Sequence, residues 1–503
     1  MAQHKRQQSW QHVRRTTFDV TILGGGINGA CLYHRLCTAG YKVLLVDQGD
    51  FAAGTSQASG MMIWGGLLYL RSLDLLSVYR FSQARDAMIR NLPEWIEPAP
   101  VHYIPAHQGP PDPRLVLGGL YFYWLLGHFR RRSPGWGKTD MDGRLIRNGH
   151  GLESLHYEEG MLRTSDARFV LHWITPHLTP EQVPLNYCAV TGGGYDASEK
   201  RWRLELRDTL GDDSAEARSR WVVNCAGAWA DPVNELFGIE TPYKHVLSKG
   251  VYLGVPRPPE HETTLVFEMG NHGDAITYSP WGPISLWGPT ETRVEDLDAG
   301  RAVTTADIRF LLEQAERNFT GPPGRSDIVS LRSGLRPLAV PKSFERDCYT
   351  LDISRRHRIA QHDGLPWISL YGGKITGCTA TAEEIAARIG RALPPPPAPV
   401  NSGARAERPI EYTGFPGLSQ KLPSAQWCRD HEFCHTLDDY LRRRTNISQW
   451  VAREGLGRHD ENLAEIDQIA LTLNHGDHDK AARSVRRYRE RVRNDFDSVL
   501  ERL

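Results

Sequence analysis

The feature that most constrains the fold is a complete strand–loop–helix–strand pattern near the start of the chain. A β-rich stretch from Asp19 leads directly into G-x-G-x-x-G, formed by Gly24, Gly26 and Gly29, and a helical stretch and a second strand ending in Asp47 follow. The glycines let the backbone approach a pyrophosphate, and the helix N-terminus faces the phosphates. Asp47 lies about 20 residues further on, where a carboxylate accepts from a ribose hydroxyl. The pattern predicts an adenine-dinucleotide site in an α/β domain.

Composition narrows the classes of function. Lysine plus arginine and aspartate plus glutamate number 60 each in the 503 residues, so no net charge favours nucleic acid. Eight cysteines are scattered with no C-x-x-C pair, which predicts no metal site, no disulfide framework and a cytoplasmic location. Residues 1–17 are polar, lack the apolar core of a signal peptide and are predicted to form a tail. No apolar run approaches the roughly 18 residues that span a bilayer.

Changes in composition and residue pattern along the chain predict a division into domains. We expect a discontinuous dinucleotide-binding domain, an inserted β-rich substrate or cap domain, a stiff proline-rich linker and a C-terminal helical domain. The predicted bounds are 18–100 with 152–245 and 326–393 for the first, 101–151 with 246–325 for the second, 394–400 for the linker and 401–503 for the last.

A series of short motifs follows the glycine loop in order. They are GTSQAS at 54–59, WGGLLYL at 64–70, DAR at 166–168, NCAG at 224–227, SKG at 248–250, GPTE at 288–291, SGLRPL at 333–338, YGGKIT at 371–376 and DDYLRRRT at 438–445. Together these motifs resemble the flavin-dependent glycerol-3-phosphate dehydrogenases, within the D-amino-acid-oxidase-like superfamily. The resemblance runs from Asp19 to Glu384 and more weakly through the C-terminal helices.

The resemblance implies FAD, not NAD, in a Rossmann-like FAD-binding domain with an inserted mixed β-sheet substrate domain and a C-terminal helical domain. It implies oxidation of sn-glycerol 3-phosphate, or a related anionic alcohol, to the ketone by hydride transfer to the flavin. Quinone or another non-NAD acceptor would then take the electrons. The residues assigned to the cofactor on this basis are Gly24, Gly26, Asn28, Gly29, Asp47, Gln48, Thr55, Ser56, Ser59, Ala226, Gly227, Gly373, Lys374, Ile375 and Thr376.

The resemblance also implies which cations hold the substrate. Arg336 and Lys374 match residues that bind substrate beside the flavin, and Arg346 resembles a further phosphate-binding arginine. These residue types suit an anion, because arginine forks onto phosphate and lysine adds a compact charge. The base that takes the hydroxyl proton stays open among Tyr69, His261 and Lys374.

Two positions of the motif at 64–70 depart from the family pattern. Where the family has His-Gly-Gly-Leu-Arg-Tyr, this chain has Trp64 and Leu68 in place of the histidine and the arginine. Losing an arginine at an anion site weakens binding by about 1.5–3 kcal/mol if its hydrogen bond is not replaced. Trp64 is either a stacking surface for the substrate or part of the core. The departures keep two alternatives open: an FAD-dependent oxidase or dehydrogenase of an amine, amino acid or hydroxy acid, and a flavoprotein without catalysis.

The most apolar stretch is 115–126, and three arginines follow it at 130–132. An aromatic helix with a basic end suits a membrane interface, and a buried helix capped by solvated arginines explains the pattern equally well. Peripheral contact with the inner face of the cell membrane through 115–132 therefore stays open, as does a homodimer. The arginine-rich run at 483–493 is interpreted as a solvated helix face, so we predict no nucleic-acid partner.

Overall fold

The computed structural model describes residues 2–70, 72–105, 112–137, 146, 154–269, 275–345, 349–396 and 409–503. The strands within these residues are β1 (Thr17–Leu23), β2 (Val43–Val46), β3 (Met62–Ile63), β4 (Ile96–Ile104), β5 (Gly135–Gly137), β6 (Ser154–Leu162), β7 (Gln182–Leu185), β8 (Cys188–Asp196), β9 (Arg201–Asp208), β10 (Ser214–Asn224), β11 (Tyr243–Pro256), β12 (Thr264–Glu268), β13 (Ala275–Trp281), β14 (Ile284–Gly288), β15 (Thr292–Val294), β16 (Ser330–Pro341), β17 (Arg358–Gln361), β18 (Trp367–Tyr371), β19 (Tyr412–Thr413) and β20 (Leu422–Pro423). The α-helices are α1 (Ala2–Arg15), α2 (Ile27–Thr38), α3 (Leu75–Asn91), α4 (Pro113–Leu126), α5 (Asp166–Ile174), α6 (Ala230–Leu236), α7 (Thr305–Asn318), α8 (Cys378–Ala392), α9 (Ala425–His431), α10 (Ile447–Trp450), α11 (Leu463–Leu473), α12 (His478–Val492) and α13 (Ser498–Glu501).

The first sheet has a parallel centre in the order β18-β10-β1-β2-β7, with β17, β9 and β8 added antiparallel. Its central strands are buried on both faces, as continuous apolar runs in a parallel sheet require. In β2, Val43 and Leu45 pack on the side of α2, α5 and α8, while Leu44 and Val46 pack with the apolar residues of β8 and β9. The predicted βαβ unit is therefore present as β1, α2 and β2.

The N-terminal residues differ from the predicted polar tail. Ala2–Arg15 forms helix α1, and Trp10 and Val13 are buried against the first sheet. Arg6 also forms an ion pair with Asp208 at 2.7 Å. Two apolar side chains spaced by three residues are enough to dock this helix, although most of its residues are polar.

The second sheet has the order β15-β11-β14-β13-β12-β4-β6-β3, with β16 on β11 and β5 on β6. Its longest pairing joins β11 to β16 from Tyr243↔Pro341 to Gly254↔Ser330. Strands β3, β6 and β16 belong to this sheet, although the sequence assigned their residues to the dinucleotide-binding domain. The fold class is confirmed, and the division into domains stays a prediction.

The C-terminal helices pack on the second sheet. Tyr440, Ile447 and Ile466 share one apolar cluster with Leu253 and Trp287 of that sheet. The segment Asp439–Arg444 is a π-helix, whose residue Arg444 pairs with the buried Asp50 of the first domain at 2.7 Å. The C-terminal helical region thus contacts the second sheet through apolar packing and the first domain through the ion pair with Asp50.

Candidate active site

A cleft of about 2040 Å³ lies where the two sheets meet. Its first wall is formed by the loops after β1, β2, β10 and β18, and its second by side chains of β11, β13 and β16. The carboxyl ends of parallel strands are the usual ligand site of an open α/β sheet. The predicted dinucleotide loop therefore opens into this cleft.

The glycine loop is too tightly packed for side chains. Gly24 has φ +105°, and a Cβ there would lie 2.6 Å from the carbonyl oxygen of Cys225. A Cβ on Gly29 would lie 2.0 Å from the carbonyl oxygen of Gly24. The start of α2 is consequently held against the loop, with its N-terminus at the cleft. Gly29 therefore permits the close packing of α2 against the loop, and it does not line the cleft itself.

Asp47 holds the same loop from the second strand. Its two carboxylate oxygens accept hydrogen bonds from the backbone N–H groups of Gly25, at 2.7 Å, and Gly49, at 2.9 Å. Burial raises the pKa of Asp47 to about 6, against the lowering effect of these two hydrogen bonds. Asp47 and its neighbour Gln48 line the cleft, where a ribose hydroxyl would find an acceptor.

The other residues assigned to the cofactor converge on the cleft, and two of them give a test of fit. Gly373 has φ +103°, and a Cβ there would lie 3.2 Å from the amide nitrogen of Asn28. The buried Oδ1 of Asn28 has no hydrogen-bond partner within the described part of the chain. An unpaired acceptor beside a glycine cradle fits a bound group with N–H or O–H donors, and FAD has both. The assigned residues that line the cleft are Gly24, Gly26, Asn28, Asp47, Gln48, Thr55, Ser56, Ser59, Ala226, Gly227, Gly373, Lys374, Ile375 and Thr376.

The cationic end of the cleft is built around Glu291. Arg336 on β16 approaches its Oε2 at 2.8 Å and Arg355 approaches the same oxygen at 3.4 Å, while Thr350 donates to Oε1 at 2.7 Å. Ser248 also donates to this carboxylate. Burial alone would raise the pKa of Glu291, but the two arginines hold it below its usual value. Two guanidinium groups thus converge in one part of the cleft.

The sequence predicted Arg346, and not Arg355, as a further phosphate-binding arginine. Arg346 lies outside the described residues. The signal for Arg355 was the basic run 355–357 directly before strand β17, which the resemblance did not highlight. Burial and the neighbouring Arg336 lower the pKa of Arg355, as expected for two cations that share one anion.

Lys374 lies beside aromatic rings in the loop after β18. Its Nζ lies 4.5 Å from the ring centre of Tyr69 and 5.2 Å from that of Phe81. Burial and Arg355 lower the pKa of Lys374 to about 7, with Glu159 acting in the opposite direction. An amine with this pKa is partly neutral at neutral pH and can accept a proton. Burial instead raises the pKa of Tyr69, which therefore keeps its proton.

The structure separates His261 from the other candidates. It is fully buried, stacks on Tyr278 with ring centres 4.2 Å apart, and its Nδ1 lies 2.6 Å from Ser285 Oγ. Neither His261 nor Tyr69 is among the residues that line the cleft, whereas Lys374, Trp64 and Leu68 are, and Tyr69 differs from His261 in lying beside Lys374. The two departures from the family pattern therefore face the same cleft as Lys374.

Comparison with known proteins places these features in a family. The family described as "DAO: FAD dependent oxidoreductase" matches residues 19–119 and 183–388. The chain is 28% identical over 392 residues to the D-erythritol 1-phosphate dehydrogenase of Brucella abortus, covering 75% of this chain and 74% of that protein. It is 25% identical over 488 residues to an aerobic glycerol-3-phosphate dehydrogenase of Staphylococcus epidermidis, covering 94% and 83%. The fold matches the glycerol-3-phosphate dehydrogenase of Bacillus halodurans complexed with FAD, with a TM-score of 0.70, 19% identity and 97% coverage of both chains.

Proposed function

The chain belongs to the family of FAD-dependent oxidoreductases, and from that premise we propose that it oxidises a phosphorylated polyol to the ketone. The leading substrate is sn-glycerol 3-phosphate. The observation that carries the proposal is the convergence of Arg336 and Arg355 on one oxygen of Glu291, in the cleft that Lys374 also lines. FAD, bound at the glycine loop, supplies the acceptor for the hydride.

The proposed roles follow from charge and position. Arg336 and Arg355 hold the phosphate by charge-assisted hydrogen bonds, and Glu291 keeps the two like charges together when no substrate is present. Lys374 takes the proton of the reacting hydroxyl, because its pKa of about 7 leaves a neutral fraction under ordinary conditions. Arg346 and Trp64 remain predicted substrate-binding residues and Tyr69 remains a predicted catalytic residue, whereas His261 has no part in this proposal.

Two observations favour a substrate longer than glycerol 3-phosphate as the second candidate. Leu68 leaves half of its surface exposed at the cleft, in place of the arginine of the family pattern. The first relative named above is a dehydrogenase of D-erythritol 1-phosphate. We do not favour the amine, amino-acid or hydroxy-acid alternative, since both named relatives are dehydrogenases of phosphorylated polyols.

Anaerobic mixing tests the proposal. We expect sn-glycerol 3-phosphate or D-erythritol 1-phosphate to bleach the visible flavin absorbance of the purified protein, and glycine to leave it unchanged. The faster of the two phosphates identifies the better substrate. Dithionite serves as the control for reducible flavin. Bleaching by dithionite and by neither phosphate would contradict the proposed function.

An apolar surface at the rim of the same cleft supports contact with a membrane. Exposed side chains of this rim surface include Leu68, Leu73 and Leu115, all of which also line the cleft. Arg130 and Arg132 are exposed just beyond α4. None of the helices described has the length and apolar character needed to cross a bilayer. We propose that the rim surface rests on an anionic bilayer, from which a quinone reaches the cleft. The remaining exposed apolar residues of the rim surface are Leu75, Leu76, Tyr79, Tyr121, Phe122, Leu125 and Phe129.

The membrane proposal predicts a charge-sensitive interaction. We expect the protein to co-sediment with vesicles of phosphatidylglycerol and phosphatidylcholine. In the double variant Leu115→Glu with Leu125→Glu we expect vesicle binding to weaken about tenfold or more, because two charges enter the apolar face. Leu210→Glu is the matched control, since Leu210 is 44% exposed but lies in the turn between β9 and β10. Equal binding of all three proteins would contradict this placement.

A further inference from the structure

A buried ionic cluster lies behind the loop that carries Trp64. Its members, which we call the Glu159 cluster, are Arg85, Asp86, Tyr123 and Glu159, and all four are buried. Arg85 pairs with Glu159 at 2.8 Å and with Asp86 at 2.9 Å, and the Tyr123 hydroxyl donates to Glu159 Oε1 at 2.6 Å. The proposed function assigns no role to this cluster.

The cluster holds the backbone of the cleft wall. The N–H of Gly65 donates to Glu159 Oε2 at 2.9 Å, and its carbonyl accepts from Ser82 Oγ at 3.2 Å. Both backbone polar groups of Gly65 are therefore held from the side away from the cleft. Trp64 and Gly66, the residues on either side, line the cleft. A shift at Glu159 would consequently move two residues of the wall.

The same carboxylate acts on Lys374. The charged groups that influence this amine are Arg355, which opposes its protonation, and Glu159, which favours it. The titratable ring beside it is Tyr69, which remains protonated. Phe81, the second ring beside the amine, lies one helical turn before Arg85 on α3. The Glu159 cluster and the environment of Lys374 are thus parts of one packed region.

A buried ion pair is weak evidence for stability, because desolvation offsets the attraction between its charges. The position of Glu159 points to a different contribution. We propose that Glu159 is a positioning residue, which fixes the loop of Trp64 against the substrate and keeps one negative charge near Lys374. This inference rests on the proposed function where Trp64 is taken to contact the substrate and Lys374 to be the base.

The first test measures Lys374 directly, without catalysis. Competitive labelling of the FAD-loaded protein with acetic anhydride at a series of pH values, read by mass spectrometry, gives the pKa of this amine. In Glu159→Gln we expect that pKa to fall by about one unit, because the side chain keeps its size and loses its charge. Lys42, whose side chain is 44% exposed, is the internal reference. Glu158→Gln is the matched control, since Glu158 pairs with Arg131 instead. An unchanged pKa of Lys374 in Glu159→Gln would overturn the inference.

The second measurement separates this inference from the proposed function. The pH dependence of anaerobic flavin reduction by sn-glycerol 3-phosphate should follow the pKa of Lys374 and move to lower pH in Glu159→Gln. If labelling shows the shift and flavin reduction does not, Glu159 acts as inferred and Lys374 is not the base.

Should Glu159→Gln fail to fold, Glu159→Asp is used for the test instead. It keeps the charge and withdraws it from Gly65, so we expect an unchanged pKa of Lys374 and a raised KM for sn-glycerol 3-phosphate. An unchanged KM or a lowered pKa of Lys374 would overturn the inference.

Discussion

Gly29→Ala is expected to yield a protein that no longer retains FAD. The new Cβ would lie 2.0 Å from the carbonyl oxygen of Gly24, which is a backbone atom and cannot rotate away. Helix α2 must therefore move from the end of β1, and its N-terminus leaves the position that faces the pyrophosphate. A displacement of about 1 Å at such a site changes affinity by about 100-fold, or about 2.7 kcal/mol.

The measurement is the ratio of flavin to protein absorbance after gel filtration, followed by titration of the FAD-free protein with FAD. Gly118→Ala is the matched control, because no heavy atom lies within 4 Å of the Cβ that it would add in α4. This control should bind FAD normally and gain up to about 1 kcal/mol of stability from its higher helix propensity. If Gly29→Ala binds FAD as tightly as Gly118→Ala, the glycine loop is not the cofactor site.

Arg336→Ala is expected to raise KM for a phosphorylated substrate about 100-fold while FAD stays bound. The guanidinium lies in the cleft at 2.8 Å from Glu291, and it is one of two that converge there. Removing one charge-assisted partner of a desolvated phosphate weakens binding by about 2–5 kcal/mol. Arg355 remains to neutralise Glu291, so the fold should tolerate the change. The kcat should fall much less than kcat/KM, because the phosphate is bound equally before and during hydride transfer.

Steady-state kinetics with an artificial electron acceptor, together with the FAD content of each variant, check this prediction. The matched control is Arg218→Ala, an exposed arginine that pairs with Glu216 at 3.3 Å on β10, and its loss should change kinetics and stability by little. The rise in KM should be similar for sn-glycerol 3-phosphate and D-erythritol 1-phosphate, since both offer the same phosphate. An unchanged KM for both would remove Arg336 from the substrate site.

The predictions that the sequence supported best concern residues close together in the chain. Gly24, Gly29 and Asp47 belong to one βαβ unit, and steric limits on glycine and the burial of short apolar strands act over a few residues. These local constraints are visible in the order of residues alone. Arg336 and Lys374 also emerged from the sequence, through their place in motifs that resemble a known family.

The tertiary structure decided what depends on distant partners. Arg336 meets Ser248 across 88 residues of chain because β16 pairs with β11 along its whole length, and the same pairing moves β16 into the second sheet. Glu159 reaches Gly65 across 94 residues, and nothing in the local pattern distinguishes this glutamate from Glu158 beside it. His261 is likewise buried against Tyr278 and does not line the cleft, which its place in the sequence does not reveal.

The sequence by itself therefore determined the βαβ unit and the fold class, and through the family resemblance it pointed to FAD and to two of the cations proposed here. Only the tertiary structure brought Arg355 to Arg336 and set Lys374 among aromatic rings near a buried carboxylate. The physical reason is the range of the forces involved. Backbone sterics and apolar periodicity are properties of neighbouring residues, whereas desolvation and the pairing of charges depend on which surfaces the folded chain presses together.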